Sequence, residues 1–367
     1  MFNLKESITA WKVFEDGYKT FKKSGQTPHE AYVAMRKLFV ETNGWFNDIF
    51  QFFYGFNKKC GPNMPLGTSI ISNFSQADIN EAVHNLRTEG YYVFKKRIPD
   101  QFLDKILDFA LKTPCVLQYD DSQRQEQNKN LGMGYFQLGH VVYDSNELFN
   151  PLDVKATNYR IPPQDVLNFE PIQELMADPA IVNVAQEYMR SQVLFSLLGL
   201  WWTTPFGCDK PSSALAQKYH FDMDRIKFIN FFLYVTDVGT GDGPHCYVKN
   251  SCKRKPKSLR RDGRFDDDEI ENNYDDDEIV RVIAPRGTLI VGDTRAFHKA
   301  EMPKNGNRLT LNFELATCMF GASYPKIQLN AQSEKLQSAL SHNPHLWSNF
   351  DIENKKVIET KSTVHSA

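Results

Sequence analysis

His220-Phe221-Asp222, followed far along the chain by His298 and Arg308, limits the fold more than any other feature, because these residues can act together only if distant segments meet as strands. On a β-strand, residues i and i+2 leave the same face, so His220 and Asp222 present an imidazole and a carboxylate side by side. His298, brought in on a distant strand, completes a set of two histidines and one carboxylate. That set covers one face of an octahedral metal ion and leaves three positions open, the arrangement expected of a non-haem Fe(II) oxygenase. Arg308 can offer a planar guanidinium fork to the far carboxylate of a cosubstrate chelating the same iron.

The surrounding residues read as strands and turns. Residues 228–235 form an apolar, aromatic run expected of a buried strand, and Gly241-Asp242-Gly243-Pro244 is a turn leading into a short strand over 245–249. Pro285-Arg286-Gly287 marks another turn before a β-branched strand over 288–291, and Gly292-Asp293-Thr294-Arg295 breaks that strand just ahead of Phe297-His298. Lys304-Asn305-Gly306-Asn307 then opens residues 308–317. There Leu309, Leu311, Phe313 and Leu315 alternate with Arg308, Thr310, Asn312 and Glu314, a pattern that predicts a half-buried strand with one polar face. Arg308 and Thr310 share that face and can address one ligand.

The runs AQKYHFDMD, FFLYVTDV, GPHCYVKNSCK and GTLIVGDTRAFHKAEMPKNGNRLTLNFEL resemble the phytanoyl-CoA dioxygenase-like family of Fe(II)/2-oxoglutarate oxygenases, over roughly residues 91–320. The resemblance implies a mainly β fold with flanking helices, built on a double-stranded β-helix (jelly-roll, cupin-like) core. It also implies His220, Asp222 and His298 as iron ligands and Arg308 as the 2-oxoglutarate clamp, with Thr310 assisting. O2 is then the oxidant, and a small-molecule substrate is hydroxylated or desaturated with succinate and CO2 as co-products. Related halogenases carry a small residue where Asp222 stands, so that chloride can bind; the carboxylate here favours hydroxylation or desaturation. One departure is Asn250-Ser251-Cys252, where many members have a Gly-Ser-His ending, and it bears on local packing.

Parity on the strand after the metal motif nominates further residues. Asn230, Phe232 and Tyr234 share one face, so Asn230 and Tyr234 are expected to look into a polar interior and to bond the cosubstrate; the competing reading makes Asn230 a strand-edge or water partner and Tyr234 a core residue. Gln217, just before the motif, and Trp202 are weaker candidates. His245 follows the Gly-Pro turn and reads as a strand residue. Cys246 beside it cannot form a nucleophile–base pair with it, since adjacent strand residues point to opposite faces.

Composition removes several alternatives. A net charge of −2 with no basic stripe argues against a nucleic-acid partner. Cys60, Cys115, Cys208, Cys246, Cys252 and Cys318 are scattered with no C-x-x-C pair, as expected of free thiols in the cytoplasm. The N-terminus lacks the apolar core of a signal peptide, and no run is long enough to span a membrane.

Three zones are expected. Residues 1–75 form an N-terminal helical extension with Ile8, Trp11, Val13, Phe14 and Tyr18 on apolar faces; residues 76–330 form the jelly-roll domain; residues 331–367 form a C-terminal helix and tail. Within the middle zone, helices are expected over 80–88 and 99–112, a strand over 91–95, and long lid-like loops over 118–170. The charge-segregated stretch 253–278 reads as a solvated insertion with Asp266 capping a short helix, or as a mobile rim that brings Arg260 or Arg264 to an anionic substrate; it lacks the pattern of a calcium loop. Two competing functions are a non-catalytic jelly-roll small-ligand-binding protein and an iron oxygenase that does not use 2-oxoglutarate. The intact ligand set speaks against the first, and Arg308 with Thr310 against the second.

Overall fold

The computed structural model of the chain describes residues 4–54, 60–118, 135–137, 140–207, 216–331 and 333–352. Its helices are α1 (Leu4–Ser24), α2 (His29–Thr42), α3 (Trp45–Tyr54), α4 (Gln76–Thr88), α5 (Asp100–Lys112), α6 (Pro163–Leu167), α7 (Glu170–Met176), α8 (Pro179–Met189), α9 (Asp267–Glu271) and α10 (Glu334–His342). The strands that build the core are β1 (Tyr91–Val93), β2 (Cys115–Gln118), β3 (Tyr135–Gln137), β4 (His140–Glu147), β5 (Asn158–Ile161), β6 (Leu194–Thr203), β7 (Phe228–Tyr234), β8 (His245–Val248), β9 (Ile279–Val282), β10 (Leu289–Gly292), β11 (His298–Ala300) and β12 (Arg308–Ala316).

Nine strands form one antiparallel sheet in the order β1-β10-β7-β12-β6-β5-β2-β4-β3, and a smaller sheet runs β11-β8-β9. The segment around His220 joins the smaller sheet through a bridge to His298. From β6 onward the chain alternates between the two sheets: β6 large, the His220 segment small, β7 large, β8 and β9 small, β10 large, β11 small, β12 large. This alternation is a double-stranded β-helix, the jelly-roll expected from the sequence. Helical residues nonetheless outnumber strand residues, because α4 to α8 and α10 cover the outside of the large sheet.

That covering explains the core. Leu309, Leu311, Phe313 and Leu315 on the outer face of β12 cluster with Phe231 and Leu233 of β7, and with Leu103, Ile172, Leu175 and Val184 from the helices. The expectation of a half-buried β12 is corrected here. All nine of its residues are buried, because its polar face points into the space enclosed by the two sheets. Residues 118–170 are also corrected from long loops: β4 and β5 add to the large sheet, while 119–134 and 138–139 lie outside the described residues. Tyr159 and Ile161 face the helix-covered core and Asn158 and Arg160 the enclosed space, but an alternation four residues long is too short to stand out from loop sequence.

Helix starts follow their caps. Ser75 and Asp78 form a capping box at α4, and Asp178 caps α8 by accepting from the Ala180 N–H while also holding Ser69 and Ile70. The α5 helix begins at Asp100, one residue after the expected start, with Pro99 at its N-cap. Among the described residues, no helix is long and apolar enough to cross a membrane.

The helices α1 to α3 form an aromatic knot against the strands' far end. Phe14 is fully buried, with Phe46, Phe50 and Phe320 edge-on to it at 4.8 to 5.2 Å. Gly17 permits the close crossing of α1 on α2, since a Cβ there would stand 2.1 Å from the Ala31 Cβ. Phe14 and Tyr18 face this core as expected, whereas Ile8 is 49% exposed, because the covered stripe of α1 runs through Ser7, Ala10, Phe14 and Gly17 and Ile8 stands to one side of it. Phe14→Ala should therefore destabilise the protein by about 3–5 kcal/mol, read as a lower urea midpoint with unchanged slope.

Candidate metal and cosubstrate site

The reciprocal backbone pair between His220 and His298, N–H to O at 3.0 and 2.9 Å, places both imidazoles on the inner face of the small sheet. One ligand atom each from His220, Asp222 and His298 can be chosen so that all lie within 4.8 Å of one another. His220 Nε2 is 3.7 Å from Asp222 Oδ1, and His298 Nε2 is 3.4 Å from Asp222 Oδ2. The same device aims both rings. His220 Nδ1 stands 2.9 Å from the Lys218 carbonyl and His298 Nδ1 3.0 Å from the Ala296 carbonyl. A carbonyl only accepts, so each Nδ1 carries the proton and each Nε2 keeps its lone pair for a cation.

Electrostatics agree with that role. Burial pushes both imidazoles down, His298 to about 4, so both are neutral at physiological pH, the form that can act as a metal ligand. Burial and neighbouring Asp224 push the Asp222 carboxyl up to about 7, against the pull of Arg264 and of the Thr294 hydroxyl. A divalent cation would relieve the cost of charging that half-buried carboxylate.

Thr294 is the residue that fixes Asp222. Its carbonyl accepts from the Asp222 N–H at 2.8 Å, and its hydroxyl faces the carboxylate and favours its charged form. The hydroxyl in turn accepts from Asn230 Nδ2 at 2.9 Å, and Asn230 Oδ1 accepts from Asn312 Nδ2 at 3.0 Å. Asn230 lines the cavity, and its amide is spent on Thr294, next to Asp222. Behind the motif, Lys255 sits 4.7 Å from the Phe221 ring and 5.4 Å from the Phe297 ring, which locks the apolar side of both ligand segments.

A cavity of about 190 Å³ opens in front of the ligands and is lined by Arg308, Gln217, Asn230, His245 and Asn312 among others. Arg308 is 1% exposed, and its Nε and Nη1 find no acceptor, nor does the Thr310 hydroxyl find a partner. A buried guanidinium with unmet N–H groups fits an anionic ligand such as the far carboxylate of 2-oxoglutarate. Tyr234 is corrected: its hydroxyl bonds the Val282 carbonyl at 3.1 Å and accepts from the His245 N–H at 2.9 Å, so it buttresses His245 and does not line the cavity. His245 is the residue that faces inward there. Trp202 is corrected as well, stacking on Phe149 at 4.1 Å on the outer face, while Trp201 lines the cavity.

The rim explains the charged stretch. Arg36 of α2 grips Asp262 with two hydrogen bonds of 2.9 and 2.6 Å, and Tyr32 and Tyr324 flank Asp224. Gly321 makes this possible. Its φ is +140°, and a Cβ there would collide with the Asp224 carbonyl. Arg260 bonds the Lys255 carbonyl, so of the two basic residues considered, Arg264 is the one whose charge acts on Asp222 and Asp224. The expected Asp266 cap is present, in a capping box with Glu269.

Residues 159–308 match the phytanoyl-CoA dioxygenase (PhyH) family. The match begins within β5 and ends at Arg308, a narrower span than the resemblance in the motifs, and it contains every ligand of the set. The resemblance is thereby borne out for the PhyH segment. No curated protein matches the chain. Among solved structures, the non-haem α-ketoglutarate-dependent carbocyclase SnoK from nogalamycin biosynthesis is 14% identical over 70% of this chain and 86% of its own, with a TM-score of 0.43. The epimerase SnoN of the same pathway is 13% identical over 66% and 84%, TM-score 0.42. HygX from Streptomyces hygroscopicus, solved with nickel, 2-oxoglutarate and hygromycin B, is 12% identical over 70% and 93%, TM-score 0.41.

The PhyH segment makes two outcomes checkable. His220→Ala or His298→Ala should abolish Fe(II) binding after anaerobic reconstitution with the fold retained, since two ligands on an open face cannot hold a labile ion. Thr294→Val, which keeps shape and removes the hydroxyl, should weaken the metal about 10- to 100-fold in a competition titration.

Proposed function

We propose that this protein is an Fe(II)/2-oxoglutarate-dependent dioxygenase that hydroxylates or desaturates a small molecule. The observation that carries the reading is the pairing, in one cavity, of a two-histidine, one-carboxylate set with an unmatched buried guanidinium at Arg308. His220, Asp222 and His298 would hold the iron through Nε2, a carboxylate oxygen and Nε2. Arg308, with the Thr310 hydroxyl beside it, would take the far carboxylate of 2-oxoglutarate. Bound there, the iron and cosubstrate supply the oxidation: O2 is divided between oxidative decarboxylation of the 2-oxo acid, giving succinate and CO2, and oxidation of a substrate C–H bond.

The protein's own share is positioning. Thr294 holds the Asp222 backbone and faces its carboxylate, and the two Nδ1–H bonds prevent the rings from turning away. Arg308 lies at the buried end of the cavity, 1% exposed, which would strengthen its contact with a carboxylate. Cys60, Cys115, Cys246, Cys252 and Cys318 stand as free thiols, in keeping with a cytoplasmic setting.

Arg308→Ala should leave iron binding intact and weaken 2-oxoglutarate by roughly tenfold to a hundredfold, the loss of a charge-assisted contact of about 1.5–3 kcal/mol. The Fe(II)–cosubstrate charge-transfer band measures it, and an unchanged titration would assign the clamp elsewhere. Turnover is the wider test. Succinate released under air from wild type loaded with Fe(II) and 2-oxoglutarate should fall about a hundredfold in Asp222→Glu, whose carboxylate is displaced by about 1 Å. Equal succinate from wild type and Asp222→Ala across a broad substrate screen would favour a binding protein.

A further inference from the structure

We propose that Arg160 anchors an anionic group, a carboxylate or phosphate, carried by the primary substrate. The word substrate rests on the oxygenase reading; the anion site itself stands on the geometry around Arg160. Arg160 lies on β5 opposite Trp201 of β6, and both line the cavity that holds the metal ligands. Its guanidinium carbon stands 5.0 Å from the centre of the Trp201 ring. That stacking holds the planar face of the group and leaves its N–H edges available.

The reach of Arg160 depends on a glycine. A Cβ on Gly199 would stand 3.4 Å from Arg160 Nη2 and 3.2 Å from the Trp201 ring, so a larger residue there would crowd both groups. Gly199 pairs with Asn312 across β6 and β12, whereas Arg308 pairs with Thr203. Asn312 leads through Asn230 and Thr294 to Asp222. The guanidinium of Arg160 therefore sits at the level of the metal set, a full step along the barrel from the Arg308 end.

Charge decides what it would bind. Among the described residues Arg160 has no hydrogen-bond or ion-pair partner, although burial lowers its pKa and disfavours its charge. The carboxylates nearby are already engaged. Glu314 accepts from the Ser196 hydroxyl at 2.6 Å and lies 3.7 Å from Arg225 Nε, Asp224 stands between Tyr32 and Tyr324, and Asp222 belongs to the metal set. With the cosubstrate's far carboxylate assigned to Arg308, one guanidinium remains over. On the same wall Asn158 is 8% exposed and its Oδ1 has no partner, an acceptor that would take a hydroxyl or N–H of the same substrate and not its anionic group. A half-buried cation that faces a cavity and has no acceptor among the described residues is best satisfied by an anion that presents paired oxygens.

The probes are inorganic phosphate and benzoate, with neutral benzamide as the control. Each is titrated into protein loaded anaerobically with Fe(II) and saturated with 2-oxoglutarate, so that Arg308 is occupied, and again into the apoprotein. Tryptophan fluorescence and calorimetry report binding. Wild type should bind phosphate or benzoate saturably and benzamide not at all. Arg160→Gln should weaken the anion about tenfold or more, Arg160→Lys should keep part of the affinity, and both should bind 2-oxoglutarate as wild type does. Three results overturn the proposal: equal anion affinity in wild type and Arg160→Gln, loss of 2-oxoglutarate in Arg160→Gln with iron retained, or no binding of either anion to wild type. Apoprotein that binds the anion through Arg160, yet takes up neither iron nor 2-oxoglutarate when both are supplied, supports the anion site and sinks the oxygenase reading.

Discussion

The structure turns on one backbone exchange, the two hydrogen bonds between His220 and His298. It closes a contact between segments far apart in the chain and sets the register of the ligand strands at the same time. In a sheet, a slip of one residue moves every side chain to the opposite face. A slip here would send both imidazoles into the packing of Phe221 and Phe297 and bring phenyl rings to the cavity. The burial of Phe39, Phe265 and Tyr274 around those rings opposes that exchange, so apolar packing on one side of the small sheet secures polar geometry on the other.

The interior of the barrel carries the opposite tension. Arg308, Thr310, Asn312 and Glu314 are all buried on one face of β12, and a sheet that merely needed stability would place leucines there. Asn312 is satisfied by Asn230 and the Phe231 carbonyl, and Glu314 by Ser196, whose placement follows from a register shift of β12 against β6 just after Glu314. Arg308 and Thr310 are left with unmet groups. The unmet groups thus gather at one end of a strand whose other polar residues are paired, a distribution that suits a ligand better than a loosely packed core.

Much of this was legible in the sequence, for definite reasons. Strand parity put His220 and Asp222 on one face, and turn residues fixed the starts of the strands that carry His245, His298 and Arg308. The same parity rule could have nominated Asn312 and Glu314, which share the face of Arg308. It could not reach Thr294. That residue sits in an irregular turn with no period, and its importance arises from a backbone and a hydroxyl contact to a distant segment. Tyr234 failed as a cavity residue because parity gives a face and not a depth. The Val282 carbonyl and His245 fill the space in front of it. Trp201 and Trp202 illustrate the same limit, since two adjacent tryptophans leave the choice of face to a register that only the folded sheet supplies.

The N-terminal helices acquire a reason for their place when the rim is considered with the core. Tyr32 and Arg36 of α2 reach Asp224 and Asp262, while Asp48 of α3 reaches Arg295 at 2.9 Å and Lys227 at 3.2 Å. Burial disfavours the Asp48 carboxylate, but these two cations outweigh it and hold the group down at about 2. Arg295 stands three residues before His298 and is bound on its other side to Asp293 by two short contacts. The helices are thereby tied to the turn that positions Thr294, and so to Asp222. Because the Asp48 carboxylate is held below its ordinary value, its contribution is present above about pH 4 and is lost only as pH falls toward 2. Across the physiological range, then, the link between the helical cap and the turn that carries Thr294 stays charged, and the cap braces that turn from outside the cavity.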